Sequence, residues 1–179
     1  MVRGRDSVTG VLLVGGASRR FGSPKALARF QGEALGERAH RLLEEAFGRV
    51  VVVGKAGDDL DLPFEVLDDG SEVRAPIVGL VAGLRYAETE VCVVLPTDMP
   101  LVSADLLRRL AAEVDGYDAA VPQSGPLPGA YRTSALPVLE RRLATGELAL
   151  YRALDELSVR VVELDGEELR NVNTPADLA

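Results

Sequence analysis

The chain is poor in the residues that most often build disulfides, zinc sites and aromatic surfaces. Its 179 residues include one cysteine, one histidine and no tryptophan, and 4% are aromatic. A single thiol cannot form an internal disulfide, and one cysteine with one histidine argues against a zinc site. We expect Cys92, in the apolar run 91–95, to be buried and inert, and His40 to be an ordinary helix-surface residue. Chemistry must then come from carboxylates, lysine, arginine, the backbone and a bound metal.

The chain also has no long hydrophobic segment. No apolar run approaches the roughly 20 residues that a membrane span needs, and the N-terminal ten residues lack the apolar core of a signal peptide. The net charge of −8 disfavours a nucleic-acid partner. We therefore expect a cytoplasmic protein without membrane or nucleic-acid partners, and the length predicts a single domain over residues 1–179.

Acidic residues are missing from one stretch of this acidic protein. Residues 7–32 contain no Asp or Glu, but they contain Arg19, Arg20, Lys25 and Arg29. A local excess of cations is typical of a site for a small anion. A solvated basic loop explains the same composition equally well.

The hydrophobic pattern alternates between strands and helices. Buried or edge strands are predicted at 8–14, 50–53, 64–67, 91–95, 119–121, 129–132 and 159–164, and helices at 34–47, 77–86, 103–114, 135–143 and 148–157. This alternation predicts an α/β fold with one doubly wound, mostly parallel sheet and helices on both faces, of the Rossmann-like type. Ligands of such sheets bind beyond the carboxyl ends of the strands, so the loops at 15–25, after 53, at 68–75 and at 96–100 are the candidate site.

The first of these loops combines glycines with cations. Leu13 and Val14 end a buried strand, and Gly15 and Gly16 then allow the backbone to approach a ligand closely. The cations that follow can neutralise a polyphosphate. The spacing matches neither the P-loop nor the dinucleotide fingerprint. Phosphate binding is the favoured interpretation, and a purely structural turn is the alternative.

Asp98 follows the most apolar strand, in the loop Thr97-Asp98-Met99-Pro100. A carboxylate in this position suits Mg²⁺ bound against a triphosphate, with water completing the coordination. A surface Asp in a turn bounded by prolines is the alternative interpretation.

Two further segments carry candidate residues. Asp69 lies in the turn 68–70, ahead of a helix that begins near Pro76. In the tail, Asn171 and Asn173 are two residues apart, so on an extended segment they point the same way. A helix cap explains Thr174 but does not require the asparagines, so we favour a site role for them.

Together these segments resemble the molybdenum cofactor guanylyltransferases, a family of nucleotidyltransferases. The resemblance covers roughly residues 8–178 and rests on 13–27, 75–79, 97–100, 126–132 and 171–178. The chain departs from the family pattern at Phe21, Pro24 and Ala75, and at Gly54, where a small polar side chain is usual. Pro24 before the lysine is also frequent in the related cytidylyltransferases.

The resemblance implies a Mg²⁺-dependent transfer of GMP from GTP to the phosphate of a molybdopterin-type cofactor, with release of pyrophosphate. It implies that Lys25 and Arg19 bind the phosphates and act in catalysis with Asp98, the metal ligand. The nucleotide site would comprise Leu13, Val14, Gly15, Gly16, Lys25, Asp69 and Asp98, and the acceptor site Asn171, Asn173 and Arg132.

The alternatives are a cytidylyltransferase or sugar-1-phosphate nucleotidyltransferase of the same fold, and a non-catalytic nucleotide-binding or cofactor-carrying module. The resemblance also leaves open a docking partner, either a molybdoenzyme or another protein of cofactor biosynthesis.

Overall fold

A central sheet organises the residues that the computed structural model describes, which are 7–15 and 23–178. In chain order the elements are β1 (Val8–Leu13), β2 (Arg29–Phe30), β3 (Glu33–Ala34), α1 (Leu35–Ala46), β4 (Arg49–Gly54), β5 (Leu67–Asp68), α2 (Pro76–Tyr86), β6 (Val91–Pro96), α3 (Ala104–Glu113), β7 (Ala119–Pro122), β8 (Gly129–Arg132), α4 (Leu136–Ala144), α5 (Leu150–Ala153) and β9 (Val159–Val162). Strands β2 and β3 form a separate hairpin.

The strand order within the described residues is β5-β4-β1-β6-β8-β7-β9. Only β8 runs antiparallel to its neighbours in this sheet; the other pairings are parallel. Helices α1 and α3 pack over one face, and α2 and α4 pack over the other. The expected doubly wound α/β fold is therefore confirmed.

The centre of the sheet is apolar because both of its faces are covered. All six residues of β1 are buried, as are the first five residues of β6. Continuous apolar runs of this kind are typical of strands that carry a helix layer on each side. Cys92 is fully buried in this core, and burial raises the pKa of its thiol to about 12, so the expectation of an inert cysteine is confirmed.

Helix α2 approaches β1 closely through two glycines. A Cβ added to Gly83 would lie 2.4 Å from Val11 Cγ1, and one added to Gly79 would lie 2.9 Å from Leu13 Cδ2. At these distances a Cβ would have to displace a side chain of β1, most severely the β-branched Val11 opposite Gly83. The glycines therefore allow the close packing that puts the beginning of α2 beside the carboxyl end of β1.

Several predicted elements have different bounds in the structure. The strand expected at 64–67 is wrong in extent, because only Leu67–Asp68 pair with β4. The helix expected at 148–157 is α5 followed by the 3₁₀ turn Leu154–Glu156. His40 is not simply a surface residue, since its ring stacks on Phe64 with centroids 4.2 Å apart.

The chain reverses its direction of winding between β1 and β6. From β1 it proceeds outward through β4 and β5, and it then returns to place β6 on the other side of β1. At such a switch point the loops leaving two adjacent parallel strands diverge and open a crevice. In the ranges that the structure describes, no helix combines the length and apolar character needed to cross a membrane.

Candidate active site

A cleft of about 700 Å³ lies at this switch point. The segments around it follow the carboxyl ends of β1, β4, β5 and β6, and helix α2 begins at its wall. The lining residues are Leu13, Gly15, Lys25, Val53, Gly54, Lys55, Asp69, Arg74, Ala75, Pro76, Gly79, Pro96, Thr97, Asp98, Leu127 and Asn173. The cleft therefore lies beyond the carboxyl ends of the strands, where ligands of doubly wound sheets bind.

Lys25 and Asp98 meet in the cleft. Lys25 begins the 3₁₀ turn Lys25–Leu27 that follows the first loop, and Asp98 comes two residues after β6. Their Nζ and Oδ2 atoms are 3.6 Å apart, and the side chains are 16% and 25% exposed. This pair places a cation and an anion together on an accessible surface, which suits the neutralisation of a polyphosphate with a bound metal.

The loop that carries Asp98 is fixed from two directions. The Val172 amide donates to the Asp98 carbonyl at 2.7 Å, and the Arg38 Nε donates to the Pro100 carbonyl at 2.7 Å. Val172 is itself buried at 3% exposure. The tail of the chain therefore supports the Asp98 loop through a main-chain hydrogen bond.

The main chain at the end of β1 reaches the cleft as expected from the glycine-rich sequence. Leu13 and Gly15 line the cavity. Val14 is buried at 4% exposure, and its amide donates to the Val53 carbonyl at 3.0 Å, so it contributes to the sheet rather than to the lining. Gly16 and Arg19, which were also expected in the site, lie outside the described residues.

Asp69 lies at the opposite wall, bonded to Lys55. Lys55 Nζ is 2.8 and 2.7 Å from the two carboxylate oxygens of Asp69, and the Asp69 amide donates to the Gly54 carbonyl at 2.9 Å. The structure thus brings Asp69 to the cleft as expected, with a lysine that the sequence analysis did not single out.

The beginning of α2 completes this wall. Ala75 and Pro76 line the cleft, so the amino-terminal end of the helix lies beside it, where the helix dipole favours negative charge. The neighbouring Arg74 is bonded through both Nη atoms to Asp58, at 3.0 and 2.5 Å. Hydrogen bonding to Arg74 holds the pKa of the Asp58 carboxyl below its ordinary value, so this pair stays ionised.

The expected acceptor residues are separated by the structure. Asn173 lines the cleft, whereas Asn171 is exposed outside the lining. Arg132 is paired with Val91, the first residue of β6, so about 16 Å of strand separate it from the carboxyl end of that strand. Its guanidinium forms an ion pair with Glu90. This corrects the expectation for Arg132, which has no place in the cleft because β8 runs antiparallel.

Leu127 reaches the cleft from the same segment of the chain. The loop between β7 and β8 lies at the carboxyl edge of β6, and Leu127 lines the cavity. The buried Tyr131 donates its hydroxyl to the Pro126 carbonyl at 2.7 Å and so anchors this loop. The sequence motif at 126–132 indicated this segment correctly. The residue of the segment that lines the cleft is the apolar Leu127, however, and not the predicted Arg132.

The described residues contain no group of three or more His, Cys, Asp and Glu side chains that could hold a metal by themselves. Mg²⁺ does not require one, because it is commonly held by one or two carboxylates together with substrate phosphates and water. Asp98, a cleft-facing carboxylate beside Lys25, fits this type of coordination.

A doubly wound sheet with a charged cleft at its switch point defines an α/β protein that binds its ligand at the carboxyl edge of the sheet, and comparison with known proteins identifies the family. The chain belongs to the MobA-like NTP transferase domain family, whose model matches residues 10–161. It is therefore a nucleotidyltransferase.

Two curated relatives have similar length and sequence. The chain is 34% identical to the probable molybdenum cofactor guanylyltransferase of Pelotomaculum thermopropionicum, over 95% of this chain and 89% of the relative. It is also 34% identical to the protein of the same name from Chloroflexus aggregans, over 96% and 91%.

Solved structures agree with this placement. Molybdopterin-guanine dinucleotide biosynthesis protein A of Archaeoglobus fulgidus superposes with a TM-score of 0.81 at 28% identity, covering 95% of this chain and 94% of that one. The 2-C-methyl-D-erythritol 4-phosphate cytidylyltransferase of Thermus thermophilus has a TM-score of 0.72 at 20% identity, covering 94% of each chain, and shares the fold.

Proposed function

We propose that this protein transfers GMP from GTP to the phosphate of a molybdopterin-type cofactor and releases pyrophosphate. The observation that carries the proposal is the Lys25–Asp98 pair at the switch point, with Nζ and Oδ2 3.6 Å apart. The relatives of similar length that are named molybdenum cofactor guanylyltransferases support the choice of nucleotide and acceptor.

The reaction needs no covalent intermediate on the protein. An acceptor phosphate oxygen attacks the α-phosphorus of GTP, the bond from the α-phosphorus to the bridging oxygen breaks, and pyrophosphate leaves with the electron pair. Catalysis is then a matter of alignment and of stabilising charge on the phosphates. Lys25 binds the phosphates from the side of the first loop, and Arg19 is proposed to assist it.

Asp98 would hold Mg²⁺, which supplies charge neutralisation on the triphosphate when it is bound. The carboxylate is suited to this role because its loop is fixed by Val172 and by Arg38. A fixed ligand needs no rearrangement when the substrate binds, and this preserves the electrostatic benefit.

The two substrates bind at different parts of the cleft. The end of β1 and Asp69 accept the nucleoside, while Asn173 and the apolar Leu127 face the acceptor. The amide of Asn173 offers both donors and acceptors, and Leu127 offers an apolar contact for a ring system. Arg132 and Asn171 are not part of this arrangement.

A pyrophosphate-release assay tests the proposal. Each of GTP, CTP, ATP and UTP is combined with molybdopterin and, separately, with sugar 1-phosphates, in Mg²⁺ and in EDTA. We expect release with GTP and molybdopterin in Mg²⁺, and its loss in EDTA. Release that depends on CTP or on a sugar phosphate would reassign the substrate, and nucleotide binding without release for every acceptor would indicate a binding module.

A further inference from the structure

Lys55 is a cleft lysine whose hydrogen bonds are all directed at the protein. Its Nζ lies 2.8 and 2.7 Å from the two carboxylate oxygens of Asp69, and 2.6 Å from each of the carbonyl oxygens of Ser71 and Val73. An ammonium group has three N–H donors, so these four acceptors use its full capacity. Although Lys55 lines the cleft, it is not arranged to donate to a phosphate.

The same lysine neutralises the charge of Asp69. The two side chains are 11% and 7% exposed, so solvent screens the pair only weakly. With Lys55 in place, this wall offers a pair with no net charge. Such a wall suits the neutral donor groups of a nucleoside, whereas the wall with Lys25 suits its phosphates.

The contacts of Asp69 leave one of its oxygens less occupied than the other. Oδ1 accepts from Lys55 and from the Ser71 amide at 3.0 Å, whereas Oδ2 accepts from Lys55 alone among the residues that the structure describes. A carboxylate oxygen accepts about two hydrogen bonds. Oδ2 therefore retains capacity for a donor from a ligand in the cleft.

A second ion pair ties the same two segments together. Lys55 and Asp58 lie just after β4, while Asp69 and Arg74 lie just after β5, and Asp58 holds Arg74 through two hydrogen bonds. Gly54 contributes only its main chain to this link, because a Cβ there would lie 2.9 Å from Val14 Cγ2 and 3.0 Å from Val66 Cγ1. The side-chain connections are therefore made by the residues that follow it.

We propose that Lys55 is a positioning residue for the nucleotide, acting through Asp69: it fixes the Asp69 carboxylate and the loop 69–74 before the nucleotide binds, and it cancels a charge that would repel the triphosphate. This inference rests on the proposed function only in requiring that the cleft bind a nucleoside triphosphate. The role is distinct from that of Lys25, which faces Asp98.

A double-mutant cycle with Asp69 tests this inference. Lys55→Met keeps the apolar stem and removes the ammonium, and its effect is measured in the native chain and in the Asp69→Asn background. We expect Lys55→Met to weaken nucleotide binding at least about tenfold, the scale of one lost charge-assisted hydrogen bond. In the Asp69→Asn background, where no carboxylate charge is left to compensate, the same substitution should have a clearly smaller effect.

Steady-state kinetics show whether Lys55 positions the nucleotide or only supports the structure in general. For Lys55→Met we expect a raised KM for the nucleotide, with the KM for the acceptor and the kcat at saturation changed less than about twofold. Arg160→Met is the matched control, because Arg160 forms an exposed ion pair with Glu113 at the far edge of the sheet. It removes the same charge and should leave both KM values unchanged.

Melting curves of the native protein and of each variant show that every affinity is measured on folded protein. If Lys55→Met is unfolded at the assay temperature, Lys55→Gln replaces it throughout the cycle, because its amide can still donate to the loop carbonyls. Unchanged nucleotide affinity in the folded variant would overturn the inference. Equal losses with and without Asp69→Asn would also overturn it, because they would mean that Lys55 contacts the nucleotide directly.

The outcome is separable from that of the proposed function. If the native protein binds and turns over CTP rather than GTP, the guanylyl assignment fails, and the cycle performed with CTP still decides the role of Lys55. If GTP is the substrate and the cycle shows no coupling, only the inference on Lys55 fails.

Discussion

At the scale of single residues, the two cleft lysines differ in their surroundings. Lys55 makes short hydrogen bonds to a carboxylate and two carbonyls, whereas the Nζ of Lys25 lies 3.6 Å from Asp98 Oδ2. That distance is longer than a hydrogen bond, so attraction between the charges is weakly directional there. The two lysines therefore meet their carboxylates in different ways, Lys55 through hydrogen bonds and Lys25 at a longer ion-pair distance.

Replacing Asp98 by Asn should abolish most of the activity while preserving the fold. The substitution keeps the shape of the side chain but removes the charge proposed to hold Mg²⁺, and the Asp98 carbonyl still accepts from Val172. We expect turnover to fall by about 10²-fold or more, the scale seen when one electrostatic stabiliser is removed. Steady-state pyrophosphate release measures it, with the exposed Asp105→Asn as the control. Near-normal turnover at saturating Mg²⁺ would exclude Asp98 as the metal ligand.

Replacing Lys25 by Ala should reduce turnover far more than stability. Ion pairs that are accessible to solvent contribute little to folding, about 0–1 kcal/mol, whereas a cation on the transferring phosphates acts in the transition state. A melting curve beside a rate measurement tests this, and Arg29→Ala provides a control from the same basic stretch, outside the cleft lining. A large fall in Tm with activity retained would show that the lysine is structural.

At the scale of elements, the position of the cleft depends on how closely helices lie against strands. Helix α2 lies on β1 through Gly79 and Gly83, and its first residue, Pro76, lines the cleft. Helix α3 is capped at its beginning, because the Ser103 hydroxyl accepts from the Leu106 amide at 3.2 Å. In the tail the bonds run in the opposite sense, because Asp177 lies inside the turn Pro175–Leu178 and accepts from the preceding Asn173 and Thr174 amides. Hydrogen bonds from these amides lower the pKa of its carboxyl.

Replacing Gly83 by Ala should destabilise the protein. The added Cβ would lie 2.4 Å from Val11 Cγ1, on a fully buried and β-branched side chain that cannot turn aside. We expect a loss of about 1–3 kcal/mol in the free energy of unfolding, as for other overpacked cores. Urea unfolding measures this loss. Gly166→Ala, where the added Cβ meets nothing within 4 Å, should change stability little, and a similar loss there would argue against steric crowding as the cause.

At the scale of the whole molecule, the sheet topology assembles one site from distant parts of the sequence. Lys25, Asp69, Asp98 and Asn173 all line one cleft, because parallel strands on both sides of the switch point end at the same edge. The tail crosses back to support the Asp98 loop through Val172. A site of this kind depends on the whole sheet rather than on any single motif.

The protein should prefer GTP to CTP. The main chain that follows β1 is exposed at Gly15, and carbonyl oxygens there can accept from the N1–H and N2–H₂ donor edge of guanine. Cytosine lacks that paired edge, and each unpaired buried group costs about 1–3 kcal/mol, so two lost contacts predict about a hundredfold or greater preference. Calorimetry with both nucleotides in Mg²⁺, followed by turnover with molybdopterin, measures the preference. Tighter binding and faster turnover of CTP would place the protein in the cytidylyl branch.

Local sequence patterns were sufficient for the sheet core and for Lys25 and Asp98 in the site. The apolar runs of β1 and β6 are buried on both faces, and this requirement is visible in the sequence itself. Lys25 and Asp98 could be selected because they follow a glycine-rich loop and an apolar strand, and carboxyl ends of parallel strands share one edge, whereas Asp69 was selected through the family resemblance.

Contacts between segments distant in sequence were decided only by the tertiary structure. The antiparallel direction of β8 places Arg132 at the far edge and Leu127 in the cleft, and the residues of that short strand do not reveal its direction. The four bonds of Lys55 likewise join residues 14 to 18 positions apart. Hydrophobic periodicity reports which face of an element is buried, whereas the partner of a polar side chain depends on which chain segments the sheet brings together.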